Sequence, residues 1–512
     1  MELLKSFFTF EKNKKTVLIC FVITCAVCFA SYSAFIVNGF VCPDGILEGL
    51  HTYINRDWAI GGCGRWFLAL VNMAHANLVF QWLTIIECVL TNWLSAHMIN
   101  KIIGNNNKYL YYISCALFSV IPPIIAACGY IYLAFPYCLS ILLSILFVYL
   151  NLQDKYLLSL LASVSLGLAM GCYQAQIGVA VGLTIIGTIK KIIDEDKDVP
   201  KYFIVSIISG FVGAIVYFAG LKICLSVFHI KLSARAAEFS ISPIFSNFFK
   251  RFIEMYKIFF SVYLDPKLKR SYVYLVLLIV AILEIIGLVV KMLKDKKYLS
   301  LIIILVLILL LPAFFYIVGI LLPDEKVNFL LWVPGYVAIF FVIFLKDFLI
   351  FDWHKITTVL TAMCLLFLSW TFVLSANATF DSYRLSYNVY KERFSSALDK
   401  VFELDGYKLN ETKIVVIGFP DDNVLRDNLN LYYYGEHLHF NFMYWGDSNL
   451  DPRVTYQYLL NEFGVDAGVL EYEEYHEFKH SEECKNMPTW PEQGYVQMIN
   501  DCAVIKFSDI YE

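Results

Sequence analysis

The sequence predicts a membrane protein built of many α-helices that ends in a small folded domain. Of its 512 residues, 59% are hydrophobic and only 16% are charged, a mixture unlike that of soluble globular proteins. Apolar runs long enough to cross a bilayer recur as far as residue 375. From residue 377 onward the composition becomes that of a soluble domain. We therefore expect about eleven spans within residues 1–376 and an α/β or α+β domain in residues 377–512.

The predicted spans alternate in direction along the chain. The first follows a lysine-rich start and lacks a clear cleavage site, so we expect it to stay uncleaved with its amino terminus in the cytoplasm. Every short loop assigned to the cytoplasmic side carries lysine, and an odd number of spans places residues 377–512 outside. The spans are predicted at residues 16–37, 78–99, 109–128, 132–150, 156–191 (as two short spans), 202–228, 272–290, 299–322, 327–345 and 356–375.

The first external loop, residues 39–66, concentrates charged side chains. Read as a helix, it places on one face Asp44, Glu48, His51 and Asn55. Carboxylates beside a bilayer are costly to desolvate, so this cluster is a candidate functional site. A solvated loop that only joins two spans is the alternative.

Two further polar features interrupt the apolar runs. Residues 156–191 are too long for one span, and we expect a break near residues 171–176. The outer loop 229–271 is basic, and its middle, residues 241–264, forms an amphipathic helix suited to the membrane interface. Its basic side chains suit a lipid phosphate, with ordinary headgroup contact as the alternative.

The carboxyl-terminal domain shows no catalytic constellation. We expect helices at residues 381–404 and 454–463 and strands at residues 412–418 and 495–507, which suits an acceptor-binding or lid element. Two cysteine pairs are candidate disulfides in an oxidising space, and the sequence leaves both open. They are Cys42 with Cys63 and Cys484 with Cys502.

Missing motifs narrow the chemistry. The sequence has no Walker phosphate loop, no G-x-G-x-x-G between a strand and a helix, no H-E-x-x-H and no nucleophile elbow. It shows no set of residues at metal-ligand spacing, so we expect no cofactor and no metal dependence. Three classes of function remain possible for the chain: transfer of a group from a lipid carrier, transport, and polymerisation.

Several short motifs resemble those of the GtrII-like bacterial membrane glucosyltransferases. After the first span they are Pro43, Asp44 and Gly45, then Trp58, then Gly64, Arg65 and Trp66. Tyr173, Gln174 and Ala175 follow at the predicted helix break, and the chain ends with Met487, Pro488, Trp490 and Pro491 before a strand at residues 504–507. The resemblance covers nearly the whole chain in order and implies a GT-C-like fold, in which an acidic residue lies in the first external loop.

The resemblance also implies a reaction. Glucose or another hexose would pass from undecaprenyl phosphate to a cell-envelope glycan, such as O-antigen or teichoic acid, on the outer leaflet of the bacterial cell membrane. The implied partners are this lipid-linked donor, the glycan acceptor, membrane lipid, and a donor synthase and flippase, with no nucleic acid.

Glycosyl transfer needs a base for the acceptor hydroxyl and a cation for the departing phosphate. Asp44 is the expected base, with a purely helix-terminal role as the alternative. Glu48 would orient Asp44 or bind a sugar hydroxyl, and Asp57 is the reserve base. His51 belongs to the expected substrate-binding set.

Arginine and lysine are the candidates for the carrier phosphate. Arg65 and Lys326 are the main ones and Arg235 a further one, while an ion pair between Arg65 and Asp57 is the structural alternative. Lys326 stands where a family member would offer arginine, so a bidentate clamp is not expected there. Tyr173 and Gln174 would bind the sugar or satisfy the backbone at the helix break.

Two other functions remain as rivals. A lipid-linked sugar flippase or transporter would bury charges within spans or contain a repeat, but only Glu87 and Glu284 fall within spans and no repeat is visible. An envelope polysaccharide polymerase would have large outer loops, usually without a folded carboxyl-terminal domain.

Overall fold

A computed structural model shows a mostly helical chain. It describes residues 14–33, 36, 56–78, 80–129, 131–233, 241–264, 271–321, 333–346, 348, 353–419, 444–445, 448–449, 452–468 and 470–509. The chain divides into two compact units, which meet in sequence between Ala376 and Asn377.

The first unit contains the apolar helices. They are α1 (Lys14–Cys28), α2 (Trp66–Ala74), α3 (Gln81–Ile102), α4 (Lys108–Ser119), α5 (Pro122–Gly129), α6 (Ile131–Asn151), α7 (Tyr156–Cys172), α8 (Ile177–Ile193), α9 (Val199–Val227), α10 (Ile241–Leu264), α11 (Ser271–Lys294), α12 (Tyr298–Phe315), α13 (Ile317–Leu321), α14 (Val333–Val337), α15 (Ile339–Leu345) and the start of α16 (Trp353–Phe402). Pro122 and Pro123 stand where α4 gives way to α5, as their lack of N–H groups predicts.

Among the described residues, eight segments are long and apolar enough to cross a membrane, so the protein is membrane-embedded. They are Lys15–Ser33, Lys108–Gly129, Tyr132–Asn151, Gln174–Ile193, Val199–Val227, Ser271–Lys294, Tyr298–Phe315 and Lys355–Asp381. Three further predicted spans correspond to α3, to α7 and to Val333–Leu345. The last two are shorter apolar helices, and α3 carries Glu87, Asn92 and His97.

Helices α6, α7, α8 and α9 pack against one another. Gly167 of α7 allows a close approach to α9, because a Cβ atom there would lie 2.6 Å from the side chain of Val216. Small residues at such crossings bring two backbones together where lipid gives no hydrophobic drive for association.

Helix α10 confirms the predicted amphipathic helix over residues 241–264. Its apolar side packs on α11, α12 and α13, with Met255 against Gly319 and Phe259 against Tyr316. The aromatic residues that gave the sequence its amphipathic pattern therefore face protein as well as lipid.

The second unit contains a three-stranded sheet in the order β1 (Ile414–Ile417), β5 (Cys502–Lys506), β4 (Val496–Ile499). Strand β5 runs parallel to β1 and antiparallel to β4. A two-stranded pairing joins β2 (Tyr444–Trp445) to β3 (Ser448–Asn449). The helices of this unit are the end of α16, α17 (Pro452–Glu462), α18 (Tyr472–Lys479) and α19 (Glu482–Asn486).

The core of the second unit contains both candidate disulfide cysteines. Cys484 and Cys502 are free thiols packed with Val415, Tyr475 and Val504. Burial raises the pKa of both thiols, as expected for small core residues. Cys63 is also a free thiol, and Cys42 lies outside the described residues.

Candidate active site

The end of the predicted first external loop is a compact backbone turn. Trp58–Gly62 forms a π-helical turn, and the amide of Arg65 donates to the carbonyl of Ala59 at 2.7 Å. Gly64 has φ of +67°, a left-handed conformation that glycine adopts at least cost. This turn leads directly into α2 and fixes the backbone on both sides of Arg65.

The structure confirms the helix break predicted near residues 171–176. Helix α7 ends at Cys172, Tyr173 is extended, Gln174–Gln176 forms a single 3₁₀ turn, and α8 begins at Ile177. A break within a membrane segment exposes backbone groups that need partners, and it often lines a polar cavity.

Hydrogen bonds join the turn to the break. The side-chain Nε2 of Gln174 donates to the carbonyl of Cys63 at 2.7 Å and to the hydroxyl of Tyr217 at 3.1 Å. The Tyr217 hydroxyl in turn donates to the carbonyl of Gly64 at 3.1 Å. Three segments far apart in sequence are thereby held together, and Gln174 binds the loop rather than its own helix.

Arg65 lies over this junction. Its guanidinium carbon is 4.5 Å from the ring centroid of Tyr173, a cation–π contact, and Tyr173 packs edge-on against the buried Tyr137 at 5.1 Å. The next residue, Trp66, packs its indole against Gly171 and Gly220. The structure thus brings together three predicted residues, Arg65, Tyr173 and Gln174.

The start of the basic loop that follows α9 also reaches the turn. The amide of Ser233 donates to the carbonyl of Gly61 at 2.9 Å, and Gly61 lies against Ile230 and the carbonyl of Lys231. The two loop segments that the sequence analysis singled out as candidate functional features therefore touch each other.

Asp57 takes no part in the hydrogen bonds that Gln174 makes at this junction. Its side chain is 61% exposed and accepts from Nε of Arg56 at 3.1 Å, and Arg56 lies over Phe228 at 4.7 Å. The sequence left open an ion pair of Asp57 with Arg65; the ion pair seen for Asp57 is with the neighbouring Arg56. Five predicted residues lie outside the described part of the chain: Asp44, Glu48, His51, Arg235 and Lys326.

One residue of the junction, Tyr217, escaped the sequence analysis, whereas Gln176 was expected at the break without an assigned role. Tyr217 sits within a uniformly apolar helix and carries no pattern that would mark it. Gln176 is fully buried, and neither end of its amide has a hydrogen-bond partner among the described residues. Buried polar groups are normally paired, so the amide of Gln176 is a candidate for contact with a ligand.

A carboxylate–imidazole pair lies at the other end of α2. Nε2 of His75 is 2.8 Å from Oε1 of Glu87, and Nδ1 is 2.9 Å from the carbonyl of Val71. Because both ring nitrogens face oxygen atoms, neither is free to take a proton from a substrate. Among the residues described, no group of three or more His, Cys, Asp or Glu side chains is arranged to hold a metal ion.

Comparison with known proteins gives one result. Searches of curated proteins and of solved structures return no match. A family model described as glucosyl transferase GtrII matches residues 49–345, more than half of the chain. The matched region includes Arg65, the helix break and Tyr217. The chain therefore belongs to the GtrII glucosyl transferase family.

Proposed function

We propose that the protein transfers glucose, or another hexose, from a polyprenyl-phosphate donor to a cell-envelope glycan on the outer leaflet of the bacterial cell membrane. Undecaprenyl phosphate is the proposed carrier, and a synthase and a flippase supply the loaded donor. The fold is GT-C-like with eleven spans, and residues 377–512 form an extracytoplasmic domain that binds the acceptor or covers the site.

The observation that carries this proposal is the placement of Arg65. A guanidinium held over Tyr173, on a backbone turn fixed by Gln174 and Tyr217, is a preorganised positive charge beside a helix break. A positive charge that is already in place stabilises the negative charge that develops on a departing phosphate, because no side chain has to reorganise during the reaction. Lys326 and Arg235 are proposed to add further charge.

The proposed reaction breaks the bond between the sugar C1 atom and the phosphate oxygen. The acceptor oxygen bonds to C1 while its proton passes to Asp44, and polyprenyl phosphate departs with the electron pair of the broken bond. Glu48 orients Asp44 or binds a sugar hydroxyl, Asp57 is the reserve base, and His51 contacts the substrate. We propose that Tyr173 and Gln176, which lie at the helix break, contact the sugar.

The transporter alternative gains little from the intramembrane acids. Glu284 accepts hydrogen bonds from Thr357 at 2.7 Å and from the amide of Phe348 at 3.0 Å, and Glu87 pairs with His75. Each acid therefore has internal partners that explain it without a translocation path.

The test is transfer in proteoliposomes. Radiolabelled glucose on undecaprenyl phosphate is supplied together with envelope glycan, and labelled glycan is measured for wild type, Asp44→Asn and Asp57→Asn. We expect transfer by wild type and its loss in Asp44→Asn alone. Loss of glucose transfer in Asp57→Asn alone would identify Asp57, rather than Asp44, as the base.

Two further outcomes would contradict the proposal. Wild type that transfers nothing to any envelope glycan would overturn the enzymatic function. Translocation of fluorescent donor across the bilayer without transfer would favour the flippase.

A further inference from the structure

The membrane unit contains an apolar cleft that the proposed chemistry does not use. A cavity of about 300 Å³ lies among α10, α11, α12 and α15. Its walls include the aromatic side chains of Tyr256, Phe260, Tyr263, Tyr274 and Phe341. A volume of this size is at the lower end for small-molecule sites, and an unfilled apolar cavity forfeits packing contacts that a ligand restores.

Local sequence explains why the cleft exists. Pro312 lies inside α12 and lines the cavity together with Ile308. Proline lacks the N–H that would bond to the Ile308 carbonyl, so a tight straight helix is disfavoured at this level. On the facing helix α11, the small side chain of Ala281 leaves the space unfilled.

The cleft opens towards the lipid-facing side of the unit. Leu309 and Leu264 belong to its lining, and they are 65% and 37% exposed. Along α11 the lining extends from Tyr274 to Ile285, about 16 Å at the rise of an α-helix. A long apolar chain can therefore lie in the cleft and continue sideways into the bilayer.

Polar groups on the same helix indicate an amphiphilic occupant. The hydroxyl of Tyr256 is buried, and it has no hydrogen-bond partner among the described residues. Helix α10 also carries Arg251, which is 7% exposed and donates to the carbonyl of Ile320 at 3.4 Å. Two exposed lysines, Lys250 and Lys257, complete a positive charge that complements an anionic headgroup.

We propose that this cleft binds the isoprenoid tail of the polyprenyl-phosphate donor, an inference that rests on the proposed function. Six aromatic side chains line the cleft, and such rings offer large apolar surfaces against which planar, methyl-branched isoprene units can pack. The positive charge of α10 attracts the anionic headgroup of the incoming donor, while the cleft holds part of its tail.

The main experiment fills the cleft and varies the tail. Ala281→Trp places an indole in the cavity, and Ile282→Trp is the matched control because Ile282 is 48% exposed and does not line the cleft. Donors on undecaprenyl phosphate and on citronellyl phosphate are compared by KM. We expect Ala281→Trp to reduce the advantage of the long tail about tenfold, whereas Ile282→Trp keeps it.

A second variant and a binding assay protect the test against misfolding and against failure of the enzyme assay. Leu278→Trp alters the same wall at a half-buried position. Binding of sugar-free undecaprenyl phosphate is measured by native mass spectrometry in competition with phosphatidylglycerol. We expect undecaprenyl phosphate to bind preferentially to wild type and weakly to both cleft variants.

The outcomes separate the two claims. Preferential binding that the cleft variants lose, with no glucose transfer by wild type, would keep the isoprenoid site and overturn the proposed function. Transfer by wild type with an unchanged long-tail advantage in both variants would overturn the isoprenoid site alone. Equal displacement by phosphatidylglycerol would assign the cleft to ordinary membrane lipid and overturn the proposal.

Discussion

Central and peripheral helices of the membrane unit differ in what they contact. In an 18-residue apolar window of Lys108–Gly129 and of Tyr132–Asn151, 89% and 78% of the residues are buried. In the corresponding windows of Val199–Val227 and Tyr298–Phe315, only 28% of the residues are buried. The central helices contain polar pairs, such as Asn100 with Ser114 at 2.7 Å. The peripheral helices present aliphatic and aromatic side chains to lipid.

The difference shows where sequence specifies structure most strongly. Lipid tails are as apolar as leucine, so central helices associate through close packing and hydrogen bonds, which depend on particular residues. Peripheral helices need mainly length and apolarity. The proposed active site lies where the two groups meet. The turn at Gly64 contacts Gln174, which begins a segment with 67% of its window buried, and Tyr217 on the peripheral helix α9.

The largest expected effect is at this meeting point. Arg65→Ala removes the positive charge over Tyr173, and we expect kcat/KM for glucose transfer to fall about 100-fold or more. Arg65→Lys keeps the charge but loses the planar guanidinium, so we expect its kcat/KM to lie between those of wild type and Arg65→Ala. Arg56→Ala is the matched control, because Arg56 is 44% exposed and pairs with Asp57. Equal losses in Arg56→Ala and Arg65→Ala would contradict a specific role for Arg65.

Glu284 on α11 is an exception to the apolar character of the peripheral helices, because it is a fully buried acid. Glu284→Ala removes the acceptor for Thr357 and for the amide of Phe348, and each buried donor left unsatisfied costs about 1–3 kcal/mol. We expect a lower melting temperature in detergent, a smaller change for Glu284→Gln, and an unchanged KM for the donor. A raised KM at unchanged melting temperature would instead give Glu284 a role in substrate handling.

A third prediction compares a glycine at the turn, Gly64, with a glycine on a peripheral helix. Gly64→Ala forces a left-handed alanine, which alone costs about 1–2 kcal/mol, and its Cβ would lie 2.7 Å from the Tyr217 hydroxyl. Gly210→Ala on peripheral helix α9 is the control, because no atom lies within 4 Å of the added Cβ. We expect lower thermal stability and transfer for Gly64→Ala only. Indistinguishable unfolding curves for the two variants would refute the packing described at the turn.

The smallest effect is expected in the loop after α8. The hydrogen bond from Lys191, followed by the amide of Asp198, lowers the pKa of Asp196. Its stabilisation is therefore present above the unfolded-state value of about 3.9 and is lost as the pH falls through the lower folded value. Asp196 is 33% exposed, so Asp196→Asn should cost about 1 kcal/mol or less at pH 7.

Thermal unfolding at several pH values checks this prediction. The difference between Asp196→Asn and wild type should shrink as the pH falls below about 4. A difference that stays constant down to pH 2 would assign the effect to something other than this carboxylate.

Sequence patterns predicted the architecture better than the site. The break after Tyr173 followed from a run too long for one span, and α10 followed from its polar stripe, because both depend on local periodicity. The bond between Gln174 and Tyr217 joins residues 43 positions apart, and no local pattern encodes it. Arg65 and Tyr173 were each named as candidates, but their stacking depends on the turn at Gly64, which only tertiary packing fixes.

The central claim is that the turn and the helix break act as one unit that places Arg65. A double-mutant cycle of glucose transfer with Tyr217→Phe and Arg65→Ala tests it most directly. Tyr217→Phe removes the donor to the Gly64 carbonyl, so we expect about a tenfold loss of kcat/KM when Arg65 is present. In the Arg65→Ala background the same change should have little further effect. Equal losses in both backgrounds would show that Tyr217 does not act through Arg65 and would contradict this account.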